Sequence, residues 1–221
     1  PRVVPEARRL HRVSFEEMLE MASLGAKVMQ SNSVQQGMMN DVEIHVRSTF
    51  TNNKGTSITS DDKISYDKVI TGVAYSKDDA KITLIGVEDR PGIAASIFKP
   101  LYENNISVDM IVQNVSADNK KTDVTFTIKR EDLDKSVNLI KKNSNLKFEK
   151  INFDDKVAKV SIVGAGMITH PGVAFKMFKA LSDQNINILV ISTSEIKISV
   201  LIHEMQTQKA VVAIHTAFDL D

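Results

Sequence analysis

The sequence predicts an α+β protein with two intertwined ferredoxin-like (βαββαβ) units, and three observations carry this prediction. The first is an internal duplication, because residues 82–116 and a stretch beginning near residue 160 share one order of strand, turn, helix and strand. Corresponding residues stand 80 positions apart: Pro91-Gly92 and Pro171-Gly172, Phe98 and Phe178, Leu101 and Leu181, Ile106 and Ile186. The second observation is that each copy continues with further strand and helix patterns. The third is one apolar run that neither copy contains.

The first copy shows the complete ferredoxin-like order. Leu133, Val137 and Ile140 recur at spacings of four and three residues, which is the period of one buried helix face. The strands are short runs rich in β-branched residues and bounded by turn residues. The predicted order is strand, helix, strand, strand, helix, strand, at residues 81–88, 92–104, 108–115, 122–129, 131–143 and 146–153.

The second copy ends one strand short of this order. It comprises strand, helix, two strands and helix, at residues 159–164, 172–183, 187–192, 197–203 and 207–217. A missing strand would leave an unpaired sheet edge. The apolar run at 69–75 (VITGVAY) is the unassigned segment of suitable length, so we predict that it completes the second unit. The first unit is then inserted between the two parts of the second.

The N-terminal residues read as a lead-in and a linker. Ser14 followed by Glu17 is a capping-box pattern, which predicts the start of a helix. A second short helix is predicted at 26–36 and a half-buried strand at 42–46. Residues 51–63 (TNNKGTSITSDDK) are polar and rich in turn residues, so we expect a loop at a domain boundary. The predicted domains are residues 1–60, residues 80–155, and residues 69–75 together with 157–221.

Composition and charge exclude several classes of function. Lys and Arg number 28 and Asp and Glu also number 28, so no net charge attracts nucleic acid or an anionic membrane. No apolar run reaches the ~18 residues of a membrane-spanning helix, and the start lacks a signal peptide. The chain has no cysteine and its five histidines are scattered, so we predict no disulfide and no metal site. The expectation is a soluble cytoplasmic protein without nucleic-acid or membrane partners.

The strand-to-helix turn of each copy is the candidate ligand site. Gly92 lets the backbone approach a ligand closely, and the free N–H groups of Gly92, Ile93 and Ala94 at the helix start favour a carboxylate. Asp89 offers a negative group for an ammonium, so this separation of charges suits a free amino acid. Two plainer interpretations stay open, because Pro-Gly is also a common turn at a helix start and Asp89 is also a plausible cap.

Polar residues near the two turns extend the candidate site. Three of them follow on the next strand of the first copy: Asp109, Gln113 and Ser116. The second copy offers His170, Gly172, Val173, Asn187, Ser194 and Glu195. A histidine directly before a proline, such as His170, is more often a turn residue than a catalyst. The glycines of Gly164-Ala165-Gly166 are interpreted as turn geometry.

Long motifs in both copies resemble the tandem ACT regulatory domains of bacterial aspartate kinases. They are DRPGIAASIF, VDMIVQNVS, SIVGAGM, HPGV and STSEIKISVLI, and the resemblance covers roughly residues 69–221. The lead-in PRVVPEARRLHRVSFEEMLEMASLGAKV is similar to the later part of the amino-acid-kinase domain in the same family. Two places depart from the family pattern. Residues 29–33 (MQSNS) replace a usual LHP and Arg-Ser pair, and Ala174 stands where some relatives have threonine near the lysine pocket.

The resemblance implies an amino-acid-sensing part of a kinase that phosphorylates L-aspartate to 4-phospho-L-aspartate with ATP and Mg, in lysine, threonine and methionine biosynthesis. It implies a threonine site between the two ACT units, with Asp89, Gly92, Ile93, Ala94 and Gln113 on one wall and Asn187 and Ile188 on the other. It also implies a lysine pocket lined by Asp109, Ser116, His170, Val173 and Glu195. In the lead-in it implies nucleotide contacts at Arg2, Lys27 and Val28.

The resemblance further implies what accompanies this chain. The catalytic N-terminal half of the family is absent, so the chain is expected to hold no catalytic residue, to bind no cofactor and to be inactive alone. It is expected to be either the regulatory end of a longer kinase or a natural short β subunit that works with an α subunit. Homodimerisation through the ACT units is also implied. The alternative is a free-standing ACT module that regulates another protein, and the kinase-like lead-in argues against it.

Overall fold

The computed structural model describes residues 2–60, 68–115 and 120–220. Within them the strands are β1 (Arg12–Ser14), β2 (Ile44–Val46), β3 (Thr56–Thr59), β4 (Gly72–Ser76), β5 (Asp79–Glu88), β6 (Val108–Val115), β7 (Lys121–Lys129), β8 (Lys150–Asp154), β9 (Val157–Val163), β10 (Val190–Thr193) and β11 (Lys197–His203). The helices are α1 (Phe15–Ser23), α2 (Ser31–Met39), α3 (Ile93–Tyr102), α4 (Leu133–Lys142), α5 (Val173–Asp183) and α6 (Thr207–Ala217).

The chain divides into two compact units. Unit one contains the described residues of Pro1–Ser76, Lys159–Leu189 and Thr193–Asp221. Unit two contains the described residues of Lys77–Ala158 and Val190–Ser192. The lead-in and the second copy, apart from Val190–Ser192, therefore belong to one compact body. The domain boundaries predicted from the sequence stay a prediction.

The first copy folds as a four-stranded sheet with strand order β6-β7-β5-β8. Neighbouring strands are antiparallel, and Ile82 of β5 lies opposite Phe126 of β7. Counted along the chain, this is the order second, third, first, fourth, so the predicted ferredoxin-like fold is confirmed. Helices α3 and α4 cover one face of the sheet with fully buried side chains such as Ile97 and Ile140. Each such side chain contributes about 1.5–3 kcal/mol through burial.

The second copy forms a four-stranded sheet of the same order, β10-β11-β9-β4. Strand β4 pairs antiparallel with β9, from Gly72 opposite Val163 to Ser76 opposite Lys159. It occupies the fourth-strand place, so the prediction that this segment completes the second sheet is confirmed. The strand begins at Gly72, three residues later than the apolar pattern indicates.

The duplication extends to the way the equivalent helices α3 and α5 end. Asn105 and Asn185 both have left-handed backbones, with φ of +57° and +56°. The residue after each asparagine donates its N–H back to a helix carbonyl at 3.0 Å, from Ile106 to Leu101 and from Ile186 to Leu181. Asparagine tolerates the left-handed conformation better than most residues, which explains its presence at both helix ends.

The lead-in forms a three-stranded sheet of order β1-β3-β2. The prediction of a loop over residues 51–63 is wrong for Thr56–Thr59, which form strand β3. Residues 61–63 lie outside the described residues. Strand β3 lies parallel to β1 and antiparallel to β2, and its Ile58 is fully buried. One apolar residue among threonines and serines makes no alternating pattern, so the composition of this segment did not predict a strand. The second helix also begins later than predicted, at Ser31 instead of residue 26.

The predicted capping box at the start of α1 is confirmed. The Glu17 backbone N–H donates to Oγ of Ser14 at 3.2 Å, and the Ser14 N–H donates to Oε2 of Glu17 at 3.3 Å. Side chains of α1 such as Phe15, Met18 and Met21 then pack in a core with Ile58.

The Gly164-Ala165-Gly166 segment serves close packing as well as turn geometry. A Cβ at Gly164 would lie 2.4 Å from the Cα of Ile70, and a Cβ at Gly166 would lie 2.8 Å from the Cα of Val69. The chain entering β4 therefore passes directly over this segment. Only glycine permits that approach.

Candidate functional site

A cleft of about 410 Å³ in unit two contains the predicted turn of the first copy. Its lining residues come from the connection between β5 and α3 and from the middle of β6: Asp89, Arg90, Pro91, Gly92, Ile93, Ala94 and Gln113. The structure thus brings together five predicted site residues, Asp89, Gly92, Ile93, Ala94 and Gln113.

Gly92 leaves unoccupied space in this cleft. Its φ is +84°, a left-handed conformation that L side chains rarely adopt, and a Cβ placed there would have no heavy atom within 4 Å. The glycine is therefore required by the backbone angle and leaves space beside the start of α3. Gly172 of the second copy repeats both properties, with φ of +92°.

The expectation of three free N–H groups at the start of α3 is wrong for Ile93. The Ile93 N–H donates to the carbonyl oxygen of Arg90 at 3.1 Å, which closes the turn. The Ile93 side chain is also buried in the core, so this residue borders the cleft mainly through its backbone. The Asp89 N–H is likewise used, donating to the carbonyl oxygen of Lys120 at 2.9 Å.

Arg90 is a cleft residue that sequence reasoning missed. Its Nη2 donates to the carbonyl oxygen of Asn145 at 3.3 Å, which directs the exposed side chain toward the loop before β8. The available signal was its position inside the DRPG turn. A guanidinium and a helix N-terminus both favour an anion at this place.

A bulge in β6 decides which predicted residues share a face of the sheet. Asp109 lies opposite Thr127 and Gln113 lies opposite Val124, with one extra residue of β6 in between. Because Thr127 and Val124 are three positions apart on β7, their side chains point to opposite faces of the sheet. Gln113 therefore belongs to the helix-covered face and to the cleft, and Asp109 lies on the other face. Met110 marks the bulge with φ of +46°.

A second cleft, of about 510 Å³, lies in unit one. It is lined by Ser14, Glu16, Ala165, Ile168, Ser194, Glu195 and Ile196. Two of these residues, Ser194 and Glu195, were predicted site residues. The lead-in residues Ser14 and Glu16 were not foreseen there, because nothing in the sequence shows that α1 begins beside the β10–β11 turn.

The other predicted residues of the second copy occupy varied positions. His170 directs Nδ1 to the carbonyl oxygen of Gly166 at 2.8 Å, which favours its interpretation as a turn residue. Val173 is buried in the core of the second copy, and Ile188 is half-buried against the same core. Asn187 is exposed. Ser116 lies outside the described residues.

The three predicted nucleotide contacts are exposed in the lead-in. Arg2 precedes the first strand, and Lys27 and Val28 lie in the turn between α1 and α2. The Val28 side chain is 62% exposed, and its N–H donates to the carbonyl oxygen of Ala26 at 2.8 Å.

Across 2–60, 68–115 and 120–220, no three His, Cys, Asp or Glu side chains gather in a way that would hold a metal ion. In the same part of the chain, every helix is too short or too polar to traverse a lipid bilayer.

Comparison with known proteins identifies both copies. A family model described as ACT domain matches residues 82–143 and 160–218. The aspartate kinase of Pseudomonas putida is 49% identical over 223 residues, which cover 100% of this chain and 54% of that protein. The chain therefore spans about half the length of the curated relatives it matches.

Two solved structures extend the likeness to the fold. The regulatory subunit of aspartate kinase from Thermus thermophilus superposes with a TM-score of 0.64 at 39% identity, covering 68% of this chain and 99% of that one. The aspartate kinase of Clostridium acetobutylicum superposes with a TM-score of 0.87 at 27% identity, covering 99% of this chain and 51% of that one. The resemblance seen in the motifs is thereby confirmed. This chain belongs to the aspartate kinase family and carries its ACT regulatory part.

Proposed function

We propose that this chain senses lysine, threonine or both and thereby controls the phosphorylation of L-aspartate by ATP to 4-phospho-L-aspartate. The observation that carries the proposal is the cleft at the start of α3. It combines Gly92, which has open space around it, with the N-terminus of α3 and the carboxyl group of Asp89. Strand β6 adds the side-chain amide of Gln113. These groups suit the carboxylate, the ammonium and a short polar side chain of one free amino acid.

The charges of the unit-two cleft support threonine as its ligand. The N-terminal end of α3 and the Arg90 guanidinium favour the carboxylate, and Asp89 at the opposite end of the DRPG turn favours the ammonium. Gln113, which faces the same side of the sheet, supplies a donor and an acceptor for a hydroxyl group. Asn187 and Ile188 of the second copy stay proposed threonine contacts on the strength of the family resemblance alone.

The composition of the unit-one cleft supports lysine as a ligand of Ser194 and Glu195. Glu195 and Glu16 provide carboxyl groups for an ammonium, and Ile168 and Ile196 provide apolar surface for an aliphatic stem. Asp109, Ser116, His170 and Val173 stay proposed lysine contacts on the strength of the family resemblance alone.

The activity belongs to a larger assembly in this proposal. The lead-in is the end of a kinase domain whose catalytic half, or an α subunit, supplies the aspartate-binding residues. Arg2 and Lys27 are exposed cations that would neutralise the charge of the ATP phosphates. Val28 would be a further contact of the nucleotide. ATP with Mg would supply the phosphoryl group. The assembly is proposed to dimerise through its ACT units and to act in the cytoplasm.

Calorimetric titration of the purified chain with each of the twenty amino acids tests this function. We expect heat of binding for lysine, threonine or both. Asp89→Asn and Gln113→Ala should weaken threonine binding, whereas Lys156→Met, on the exposed turn before β9, should leave it unchanged. Selective binding of an amino acid from outside the aspartate pathway would favour the free-standing regulatory module instead. Absence of all binding would refute amino-acid sensing by this chain.

A further inference from the structure

Helix α1 is joined to the second copy through the carboxyl group of Glu17. Glu17 is only 1% exposed, and a glutamate is rarely buried so completely. Its Oε1 accepts hydrogen bonds from Oγ1 of Thr71 at 2.6 Å and from the N–H of Ala165 at 3.0 Å. Its Oε2 accepts the N–H of Ser14 at 3.3 Å. One buried side chain therefore connects three segments that are distant in sequence.

A second polar contact lies one helical turn further along the same face. Residues three apart on a helix are neighbours, so Glu20 stands beside Glu17. Oε2 of Glu20 accepts a hydrogen bond from Nζ of Lys197 at 2.9 Å, and the two side chains are 29% and 23% exposed. Partial burial reduces the screening of this ion pair by salt.

These two contacts reach two different chain segments that line the unit-one cleft, which we call its walls: the segment at Ala165 and the segment from Ser194 to Ile196. Ala165, held by Glu17, lines the cleft itself. Lys197, held by Glu20, directly follows Ile196 and lies two residues after Glu195, both of which also line the cleft. The two segments are also hydrogen-bonded to each other, because the carbonyl oxygen of Ile196 accepts the N–H of Gly164 at 2.9 Å. Helix α1 is thus attached to both walls.

We propose that Glu17 and Glu20 are positioning residues that couple this cleft to the lead-in. A ligand that shifts either wall must break these contacts or move α1 with the wall. Because buried polar groups are costly to leave unpaired, movement of α1 is the favoured response. The inference rests on the proposed function for its physiological meaning, since that function assigns an amino acid to this cleft and assigns the lead-in to the end of the kinase domain.

Hydrogen exchange of the ligand-free chain tests the coupling without any effector. Thr71→Val removes the hydroxyl donor to Glu17 and keeps the side-chain shape, and Thr71→Ser keeps the hydroxyl. We expect Thr71→Val to raise amide exchange in α1 about fivefold, the effect of one lost hydrogen bond, and Thr71→Ser to stay near wild type. A purely local role for Thr71 would confine the change to β4 and its partner β9. That outcome would overturn the proposal for Glu17.

Glu20→Gln tests the second contact with a matched control. The substitution removes the ion pair while keeping the length of the side chain. We expect faster exchange both in α1 and in the segment around Ile196, by about twofold, which is typical of a partly exposed ion pair. Glu6→Gln removes an exposed lead-in carboxyl group and should change neither region. Equal effects of Glu20→Gln and Glu6→Gln would contradict a coupling role for Glu20.

Titration with lysine separates failure of the coupling from failure of the proposed function. In the wild-type chain, saturating lysine should slow exchange in the cleft walls and in α1. In Thr71→Val it should slow exchange in the walls alone, with lysine affinity unchanged. Protection of the walls without α1 in the wild type would refute the coupling and leave lysine sensing intact. Absence of lysine binding would refute lysine sensing at this cleft, and the ligand-free exchange would still decide the coupling.

Discussion

Replacement of Gly92 by alanine isolates the role of the unit-two cleft. The backbone φ of +84° is unfavourable for alanine, yet its Cβ would have no heavy atom within 4 Å. The substitution therefore adds backbone strain of about 1–2 kcal/mol without a clash. The added methyl group also occupies open space beside the start of α3. We expect the free energy of unfolding in urea to fall by that strain, and threonine binding to weaken about tenfold, equivalent to ~1.4 kcal/mol.

Gly172→Ala is the matched control for this prediction. Gly172 has φ of +92° and the same empty surroundings, so the strain should be equal. Its position at the start of α5 lies in the other copy, and threonine binding should stay near wild type. A loss of more than about 3 kcal/mol in either variant would show that the methyl group meets other atoms. An equal loss of threonine affinity in both variants would refute the assignment of the site to the first copy.

Three further predictions test the fold by urea denaturation. Gly164→Ala should lower stability by about 3 kcal/mol, because its Cβ would lie 2.4 Å from backbone of the segment entering β4; a small loss would contradict that close packing. Ser161→Ala should cost about 1–3 kcal/mol, since it leaves the buried Ser199 hydroxyl without its partner at 2.7 Å, and the double alanine variant should cost less than the sum of the two single variants. Asn105→Ala and Asn185→Ala should each cost about 1 kcal/mol through the left-handed backbone, so unequal losses would show that the two helix ends differ.

The order of strands was predictable because it follows from patterns repeated along the chain. The spare apolar run could be placed in the second sheet by elimination, and β4 pairs with β9 as expected. The capping box at Ser14 was also visible, since both partners lie within one helical turn. Strand β3 was not visible, because its one large apolar residue, Ile58, is surrounded by polar residues and is buried by tertiary contacts.

The site was predictable where it is contained in one turn and was less so where distant segments meet. The turn from Asp89 to Ala94 lines one cleft, and its role in binding an amino acid stays a prediction. The bulge at Met110 places Asp109 and Gln113 on opposite faces of the sheet. No residue pattern in the sequence predicts a single extra residue in a strand. Glu17 was recognisable as a cap, but its bonds to Thr71 and Ala165 span 54 and 148 residues and depend on the assembled fold.

Amino-acid control of the kinase is tested most directly by the rate of 4-phospho-L-aspartate formation by this chain in complex with a co-expressed N-terminal kinase half. We expect product formation that depends on ATP and aspartate, at a rate that lysine, threonine or both together reduce. A coupling free energy of about 1–3 kcal/mol corresponds to a 5- to 150-fold reduction. An active complex whose rate is the same with and without both amino acids would contradict amino-acid control by this chain.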